Sequence, residues 1–488
     1  MARQSIVTVM VEREEWVMPP RGGKPISRKA HFLLPALTAE DDASSSMGLF
    51  PNSMNESSGS SISSTQLPLK VSFDGWRKPT DRWEQWVSQM RPRYQSLWEG
   101  AGISDAINSS ISTIIQHKDV VLELSERWCS ETKSFIFPWG EATITLEDVA
   151  VIGGYSLGGH CVLQPLESPA LKDIENQLKE ERLVIGRTKA SRACQKLWMD
   201  RFMGSGSEIE HEAFLSHWLS RFVFPGPAID TIRKVVFPVA IHLARGARIA
   251  LAPAVLASLY RDLGLLKRRE QISVRKPSRS RLTLPDKITM WAPFQLVQVW
   301  IWERFESLRP LGVRTTLTTV PIITKWHKAK TEGPKIENLA RVYDRSGKTF
   351  KWRPFTGCDY YQGFMSELYK SKQVRKIAVY YLTEALQNYV RCIRTSELVG
   401  LEDGCIEQYM PQRVAMQFGL DQDIPVASRV ETSLIGGNNY LRPFLDDVIY
   451  VPSRFSEPEV STRYYTWLKR SIMIYLEGQT TNRTRALV

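Results

Sequence analysis

The abundance of aromatic side chains is the feature that most constrains what this sequence can fold into. Its 488 residues include fifteen Trp, sixteen Tyr and eighteen Phe, and 43% of the chain is hydrophobic. A disordered chain lacks such a content because it cannot bury large rings. We therefore expect most of these rings to lie inside a folded protein, in one large core or two ordinary ones.

Helical spacing of apolar residues dominates the sequence. Four isoleucines recur at intervals of four, four and three residues, and Ser104 is a candidate N-cap. This spacing places them on one face of a helix. Near the other end of the chain, Ser456 and Glu459 match a capping box. The apolar face of the first predicted helix consists of Ile103, Ile107, Ile111 and Ile114. The apolar face of the second consists of Tyr465, Leu468, Ile472 and Tyr475.

A short β component accompanies the helices. Phe135 and Phe137 alternate with other residues, and the following 138–140 (Pro-Trp-Gly) is a turn signal before 143–145 (Thr-Ile-Thr). Together they predict a β-hairpin. The predicted fold class is therefore mainly α with a small β component (α+β).

The segment after this hairpin carries the clearest local signal. Thr145 and Asp148 match a capping box, which predicts a helix over 146–152. A glycine pair at 153–154 should end that helix, because glycine adopts the left-handed conformation without a steric clash.

Composition divides the chain into four parts. Ten of the twenty-three residues from 43 to 65 are Ser, so little in that stretch can offset the entropy lost on ordering. We predict a Ser-rich flexible linker at 43–66, after an N-terminal extension at 1–42. A single large helical domain would follow at 67–478, before a short tail at 479–488.

The net charge of +12 is concentrated in one place. Seven basic residues and one acidic residue lie within fifteen positions, which accounts for half of the excess. Clustered Lys and Arg favour contact with nucleic-acid phosphates, but the same pattern is typical of a nuclear-localisation patch or of a solvated loop. The basic residues are Lys267, Arg268, Arg269, Arg275, Lys276, Arg279 and Arg281.

Several classes of protein are not favoured by the sequence. Charges in the first twenty residues break any signal-peptide apolar region, and no apolar run is long enough for a membrane span. The six cysteines have no close spacing, so we predict no metal site. We also predict no cofactor.

Candidate catalytic motifs are weak. Residues 154–158 match G-x-S-x-G, but a nucleophile elbow needs a strand before the serine, whereas a capped helix is predicted there. No lysine follows as a phosphate loop requires. The pairs Glu147–Asp148 and Asp446–Asp447 leave metal-dependent nuclease chemistry as an alternative, although three spaced carboxylates are not visible.

One long motif lies between positions 126 and 148. Its residues are Glu126, Arg127, Trp128, Glu131, Thr132, Gly140, Glu141, Leu146, Glu147 and Asp148. This motif resembles the signature of the plant mobile domain family. Further matches to the family occur in order at 257–261, 296–305, 350–355, 411–419 and 463–468. The resemblance identifies the predicted 67–478 domain as a plant mobile domain.

The resemblance implies a function that the residues alone do not. It implies a non-enzymatic nuclear binding or scaffold protein, resembling maintenance-of-meristems-like proteins in transposon silencing, gene expression and meristem maintenance. Members are sometimes labelled aminotransferase-like, which the helical pattern does not support. The expected partners are a plant phosphatase of the type-seven-like group and DNA or RNA through the basic segment, with no membrane. The alternative is a domesticated transposase-like DNA-binding protein or nuclease.

Overall fold

The computed structural model describes most of the chain. The residues described are 9–35, 70–187, 192–275, 287–310, 321–330, 338–357, 368, 371–402, 405–425, 448–453, 455 and 457–472, without the side chains of 268–275 and 356–357.

Helices dominate the described residues, as predicted. They are α1 (Asp81–Ala101), α2 (Ser104–Ser109), α3 (Lys118–Ser125), α4 (Leu146–Gly153), α5 (Pro169–Gly186), α6 (Gln195–Phe202), α7 (Glu210–Trp218), α8 (Phe237–Ala244), α9 (Leu251–Arg275), α10 (Gln295–Arg304), α11 (Ile322–Lys325), α12 (Leu339–Arg345), α13 (Glu384–Arg394) and α14 (462–472).

The strands form five small sheets among the described residues, ordered β12-β1-β2, β4-β5-β6, β10-β9, β11-β8 and β3-β7, of which β3-β7 alone is parallel. The predicted mainly α fold with a small β component is therefore confirmed. The strands are β1 (Met10–Met18), β2 (Ile26–Leu33), β3 (Lys70–Ser72), β4 (Trp128–Cys129), β5 (Ser134–Phe137), β6 (Gly140–Ala142), β7 (Lys287–Thr289), β8 (Arg375–Ala378), β9 (Glu397–Val399), β10 (Ile406–Gln408), β11 (Val448–Val451) and β12 (Val460–Ser461).

Aromatic rings fill the core, as the composition predicts. Helices α7 and α10 are buried on every side, and α7 continues directly into a π-helix, Leu219–Val223. Phe214 of α7 stacks between Trp83 and Trp98, with ring centroids 4.8 and 5.4 Å apart. The tryptophans with almost no exposure are Trp83, Trp86, Trp98, Trp128, Trp198, Trp218, Trp300, Trp302 and Trp326.

Helix α4 follows its local sequence signals closely. The Thr145 side chain accepts from the Asp148 backbone N–H, and Asp148 accepts from the Thr145 backbone, so the capping box is complete. Gly154 ends the helix with φ 76°. A Cβ at this position would also lie 2.7 Å from the Asp105 backbone, so both conformation and space require glycine.

The predicted β-hairpin exists, but its second strand lies earlier than expected. Phe137 pairs with Gly140, so only two residues form the turn and pairing resumes at once as β6. Residues 143–145 leave the sheet, and Thr145 becomes the N-cap of α4. Residues that the alternation assigns to a strand are used instead to start a helix.

Two helix boundaries also differ from the sequence predictions. Helix α2 ends at Ser109, so Ile111 and Ile114 lie beyond it, and the Ser104 side chain accepts from Gln95 instead of capping the helix. The last helix begins at 462, where Ser461 Oγ accepts from the Tyr464 N–H at 3.1 Å. A good capping sequence therefore does not decide which serine is used.

Residues 9–35, within the segment predicted as an N-terminal extension, pair with the late part of the chain. Strands β1 and β2 form an antiparallel hairpin, and Val17 and Met18 pair with Ser461 and Val460 of β12. Three arginines connect the hairpin and α14 to carboxylates late in the chain. We call the set the N-terminal lattice; its members are Arg13, Arg28, Asp421, Asp423, Glu459 and Arg463.

Candidate functional site

A buried ion pair joins the hairpin of the motif to the late part of the chain. Glu141 lies on β6, and Arg413 lies in a 3-10 helix that spans Pro411–Phe418. The Arg413 Nε and Nη2 atoms lie 2.8 and 2.7 Å from the two Glu141 oxygens, and the Ser134 hydroxyl donates at 2.7 Å. Burial opposes the charge of Arg413, but Glu141 outweighs burial and raises the Arg413 pKa. The pair is bidentate and dry.

A second buried pair joins α4 to α10. The Arg304 Nη2 atom lies 2.6 Å from Asp148 Oδ1, and the two side chains are 3% and 0% exposed. The other Asp148 oxygen accepts from the Thr145 backbone and hydroxyl and from the Trp300 indole. Asp148 therefore caps α4 and binds α10 at the same time. We call Glu141–Arg413 and Asp148–Arg304 the motif pairs.

The first part of the motif also holds elements together. Arg127 bridges α3 and α12, because its guanidinium lies 2.8 Å from Glu123 and 2.9 Å from Asp344. The Glu126 carbonyl accepts from Lys267 at 2.9 Å. Trp128 is fully buried against Tyr260, with ring centroids 5.0 Å apart.

The remaining motif residues are buried or shape the hairpin. Thr132 exchanges a 2.9 Å hydrogen bond with Ser134, and the Cys129 thiol donates to Glu131 at 3.3 Å. Gly140 has φ 144° at the two-residue turn. The side chains of the last two, Leu146 and Glu147, are buried. The motif thus assembles the core instead of lining an open cleft.

The chemistry available to these groups is limited. Each carboxylate of the motif pairs already accepts hydrogen bonds from a guanidinium. Burial raises the pKa of the Cys129 and Cys405 thiols to about 11, so neither is a reactive thiolate at neutral pH. Within the described ranges, no group of three His, Cys, Asp or Glu side chains could hold a metal ion. Asp446–Asp447 lies outside the described residues.

The G-x-S-x-G sequence forms the end of α4 and the loop after it. Ser156 Oγ donates to the Ile249 carbonyl and accepts from the Leu251 N–H at 3.4 Å. The serine therefore fastens this loop to the start of α9. No strand precedes it, because residues 146–153 are helical, so the context that a nucleophile elbow needs is missing.

The predicted basic segment is only partly described. Lys267 is 8% exposed and donates to the Glu126 carbonyl, so its amine is engaged in a contact within the protein. Arg268, Arg269 and Arg275 lie in the last turns of α9, but the structure describes only their backbone. The three that lie outside the described residues are Lys276, Arg279 and Arg281.

One arginine cluster was not anticipated from the sequence. Arg77 and Arg221 both bind the Asp230 carboxylate, and Arg221 also donates to Gln195 at 2.8 Å. Burial, and then the neighbouring Arg77, lower the Arg221 pKa. Asp230 has φ 59°, and nearby Ala228 has φ 65°. The cluster holds a strained loop beside the π-helix, and the sequence gives no signal that Arg77 joins Arg221 and Asp230 there.

A second unanticipated feature lies on the outside of the molecule. Tyr380 and Tyr381 follow β8 and are 89% and 79% exposed. The neighbouring Lys372 and Lys376 are also exposed. A signal was present in the sequence, because no acidic residue occurs from 368 to 383.

Comparison with known proteins identifies the family. The plant mobile domain model matches residues 102–469. The chain belongs to the plant mobile domain family. This match lies within the predicted 67–478 domain, and it includes the motif pairs and the exposed tyrosines. None of the described helices is long and apolar enough to cross a membrane.

The relatives come from Arabidopsis thaliana. The chain is 25% identical to "Protein MAIN-LIKE 2" over 71% of its own length and 48% of that protein, and 23% identical to "Protein MAINTENANCE OF MERISTEMS" over 64% and 60%. It is 24% identical to "Serine/threonine-protein phosphatase 7 long form homolog" over 64% and 22%. The chain therefore spans about a fifth to three fifths of these relatives. No solved structure is significantly similar to it.

Proposed function

We propose that this plant mobile domain is a non-enzymatic binding or scaffold protein of the nucleus that acts in transposon silencing, gene expression and meristem maintenance. The observation that carries the proposal is the structural role of the charged motif residues. Two of these charged residues form buried ion pairs: Glu141–Arg413 joins the hairpin to the 411–418 helix, and Asp148–Arg304 joins α4 to α10. Residues buried in this way stabilise a rigid domain, so we expect partners to bind at its outer surface.

The proposed protein partner is a phosphatase of the type-seven-like group. Support comes from a relative named as a phosphatase 7 long form homolog, which is similar to this chain over 22% of its length. A domain that occurs in the same chain as a phosphatase is a reasonable candidate to bind a separate one. The meristem role is supported by the relative named for meristem maintenance.

The test is affinity purification of the tagged chain from plant nuclei, with and without nuclease, followed by mass spectrometry. We expect a phosphatase to remain bound after nuclease treatment. Partners that all disappear with nuclease would instead favour direct nucleic-acid binding as the primary function. Metal-dependent cleavage of DNA by the purified chain would overturn the non-enzymatic proposal.

A variant of the basic segment separates localisation from binding. The six basic residues other than Lys267 would be changed to Gln, while Lys267 is kept because its amine binds the Glu126 carbonyl inside the fold. If the segment is a localisation patch, the variant should leave the nucleus but retain the phosphatase in extracts. The residues changed are Arg268, Arg269, Arg275, Lys276, Arg279 and Arg281.

A further inference from the structure

The β8–β11 sheet presents basic and aromatic side chains together on its outer side. Lys376 is paired with Tyr450 in the register, and its amine lies 5.7 Å from the Tyr450 ring centroid. The next pair along, Ile377 and Ile449, faces the opposite way, and Ile449 is buried. Side chains alternate between the two sides of a strand, so the lysine and the ring share the outer side.

Two further exposed rings lie in the turn that follows β8. Tyr380 and Tyr381 occupy a single 3-10 turn and expose 89% and 79% of their surface. Tyrosine usually hides much of its ring, since burial of the apolar carbons is favourable. Two adjacent rings held almost fully in water therefore gain little for the fold, and they are available for contact with another molecule.

The charge around these rings favours an anionic partner. Lys372 and Lys376 are exposed before the tyrosines, and the chain has no acidic residue from 368 to 383. On the other flank, His31 packs against Tyr450 with ring centroids 4.7 Å apart. Its Nε2 and the nearby Lys29 both contact Glu12, so this flank is close to neutral. The positive charge lies on the β8 side.

We infer that this surface binds single-stranded nucleic acid. We call it the tyrosine surface; it consists of the exposed Lys372, Lys376, Tyr380 and Tyr381, with the half-buried Tyr450 beside Lys376. Exposed rings stack on unpaired bases, and lysines beside them contact the phosphates. A duplex keeps its bases stacked inside, so it offers the rings no comparable partner. The inference deepens the proposed binding function by naming a class of partner and a site separate from the 267–281 segment.

The experiment uses the purified full chain and a fluorescent oligothymidylate, with a duplex of the same length for comparison. Anisotropy should show tighter binding of the single strand. Tyr380→Ala with Tyr381→Ala should weaken that binding by about tenfold or more, given the usual contribution of base stacking. Tyr380→Phe with Tyr381→Phe should retain it, because stacking needs the ring and not the hydroxyl.

Two controls separate the surface from general effects. Trp16→Ala removes another exposed ring, 57% accessible, beside Glu14 and Glu15, and should leave the affinity unchanged. Lys372→Ala with Lys376→Ala should reduce the slope of log affinity against log salt by about 0.7 for each phosphate that the variant no longer neutralises. Because all of these side chains are exposed, the melting temperature should not change.

Three results would overturn the inference. The first is the absence of oligothymidylate binding at low salt. The second is an affinity of the Tyr380→Ala, Tyr381→Ala variant equal to that of the unchanged protein. The third is a loss of affinity on Trp16→Ala as large as that on changing the two tyrosines. If the Tyr380→Ala, Tyr381→Ala variant instead no longer binds the phosphatase in the nuclear purification, the surface is a protein interface and not a nucleic-acid site. Failure of the nuclear purification alone would refute the scaffold proposal and leave the oligonucleotide result intact.

Discussion

Two sets of arginine–carboxylate pairs join separate elements of the fold, and they differ in their access to water. In the motif pairs, both partners are nearly inaccessible, as in Arg413 and Glu141 at 6% and 1% exposure. In the N-terminal lattice, the arginines are partly exposed, and Arg463 reaches 53%. The same Coulomb attraction acts in both sets, but water screens the attraction in the N-terminal lattice and not in the motif pairs.

The comparison shows what burial changes. A dry pair is costly to assemble, because both ions lose their hydration, but it is costlier to break, because the remaining ion stays buried without a partner. A solvent-exposed pair adds little to the free energy of unfolding, and little is lost when the pair is broken. The motif pairs should therefore determine whether the domain folds, whereas the lattice should adjust how firmly the N-terminal hairpin is attached.

The largest expected effect comes from Arg413→Met. Glu141 would remain buried and, among the described residues, would keep the Ser134 hydroxyl as its one side-chain donor. The free energy of unfolding should therefore fall by about 3–5 kcal/mol in urea titrations. Replacing both partners, with Glu141→Leu added, should recover much of that loss, since no buried charge then remains. A double variant as unstable as the single one would show that the pair itself supplies the stability.

Acid should affect the dry core before the lattice. Burial, and then Arg245, lower the pKa of His211 to about 3, while its Nε2 accepts from the Trp98 indole at 2.9 Å. The unfolded chain takes up this proton near pH 6.5, so the stability is complete above that pH and is lost as the pH falls toward 3. The loss should reach about 3 kcal/mol by pH 4.

The variant His211→Gln tests this source of acid sensitivity. Its urea midpoint should depend less on pH between 6.5 and 4. His217, His117 and His327 should contribute to the remaining slope, because burial lowers their pKa values as well. In the lattice, burial opposes ionisation of Asp423, but hydrogen bonds from Arg463 and Ser461 outweigh it and lower the Asp423 pKa. That contribution is present above about pH 4 and is lost below it. An unchanged slope in the variant would contradict the assignment to His211.

Arg28→Ala should have an intermediate effect. Arg28 binds both Asp421 and Glu459 at 2.8 Å, and it is one third exposed. Asp421 keeps hydrogen bonds from the His31 and Glu459 backbones, so the expected loss is only about 1–2 kcal/mol. Hydrogen exchange should show the loss first in β1 and β2. A loss as large as that of Arg413→Met would remove the distinction between the dry and wet pairs.

Arg463→Ala should have the smallest effect. The exposed guanidinium binds Asp423, which keeps Arg13 as a second partner. The free energy of unfolding should fall by less than about 1 kcal/mol, and the difference should shrink as salt is added. Urea titrations at low and high salt measure both quantities. A difference that does not depend on salt would show that side-chain packing, and not charge, is responsible.

Local signals in the sequence correctly predicted the ends of an element where residues nearby in the chain make the capping contacts. Helix α4 begins at the predicted capping box and ends at the predicted glycine pair because these contacts lie within a few residues. Helix α10 is buried on all sides, and apolar residues occupy 296–297 and 299–302. Where a distant contact competed, the local signal failed, since β12 pairing made Ser461 the cap of the last helix.

The sequence by itself determined the aromatic core, the helical majority, the family motif and the concentration of positive charge. Only the tertiary structure decided which charges meet, because Glu141 and Arg413 are 272 positions apart and no local rule pairs them. It likewise placed the Lys267 amine on an internal carbonyl and left Tyr380 in water. Local preferences depend on chain neighbours, whereas burial and ion pairing depend on proximity in space, which exists only once the chain has folded.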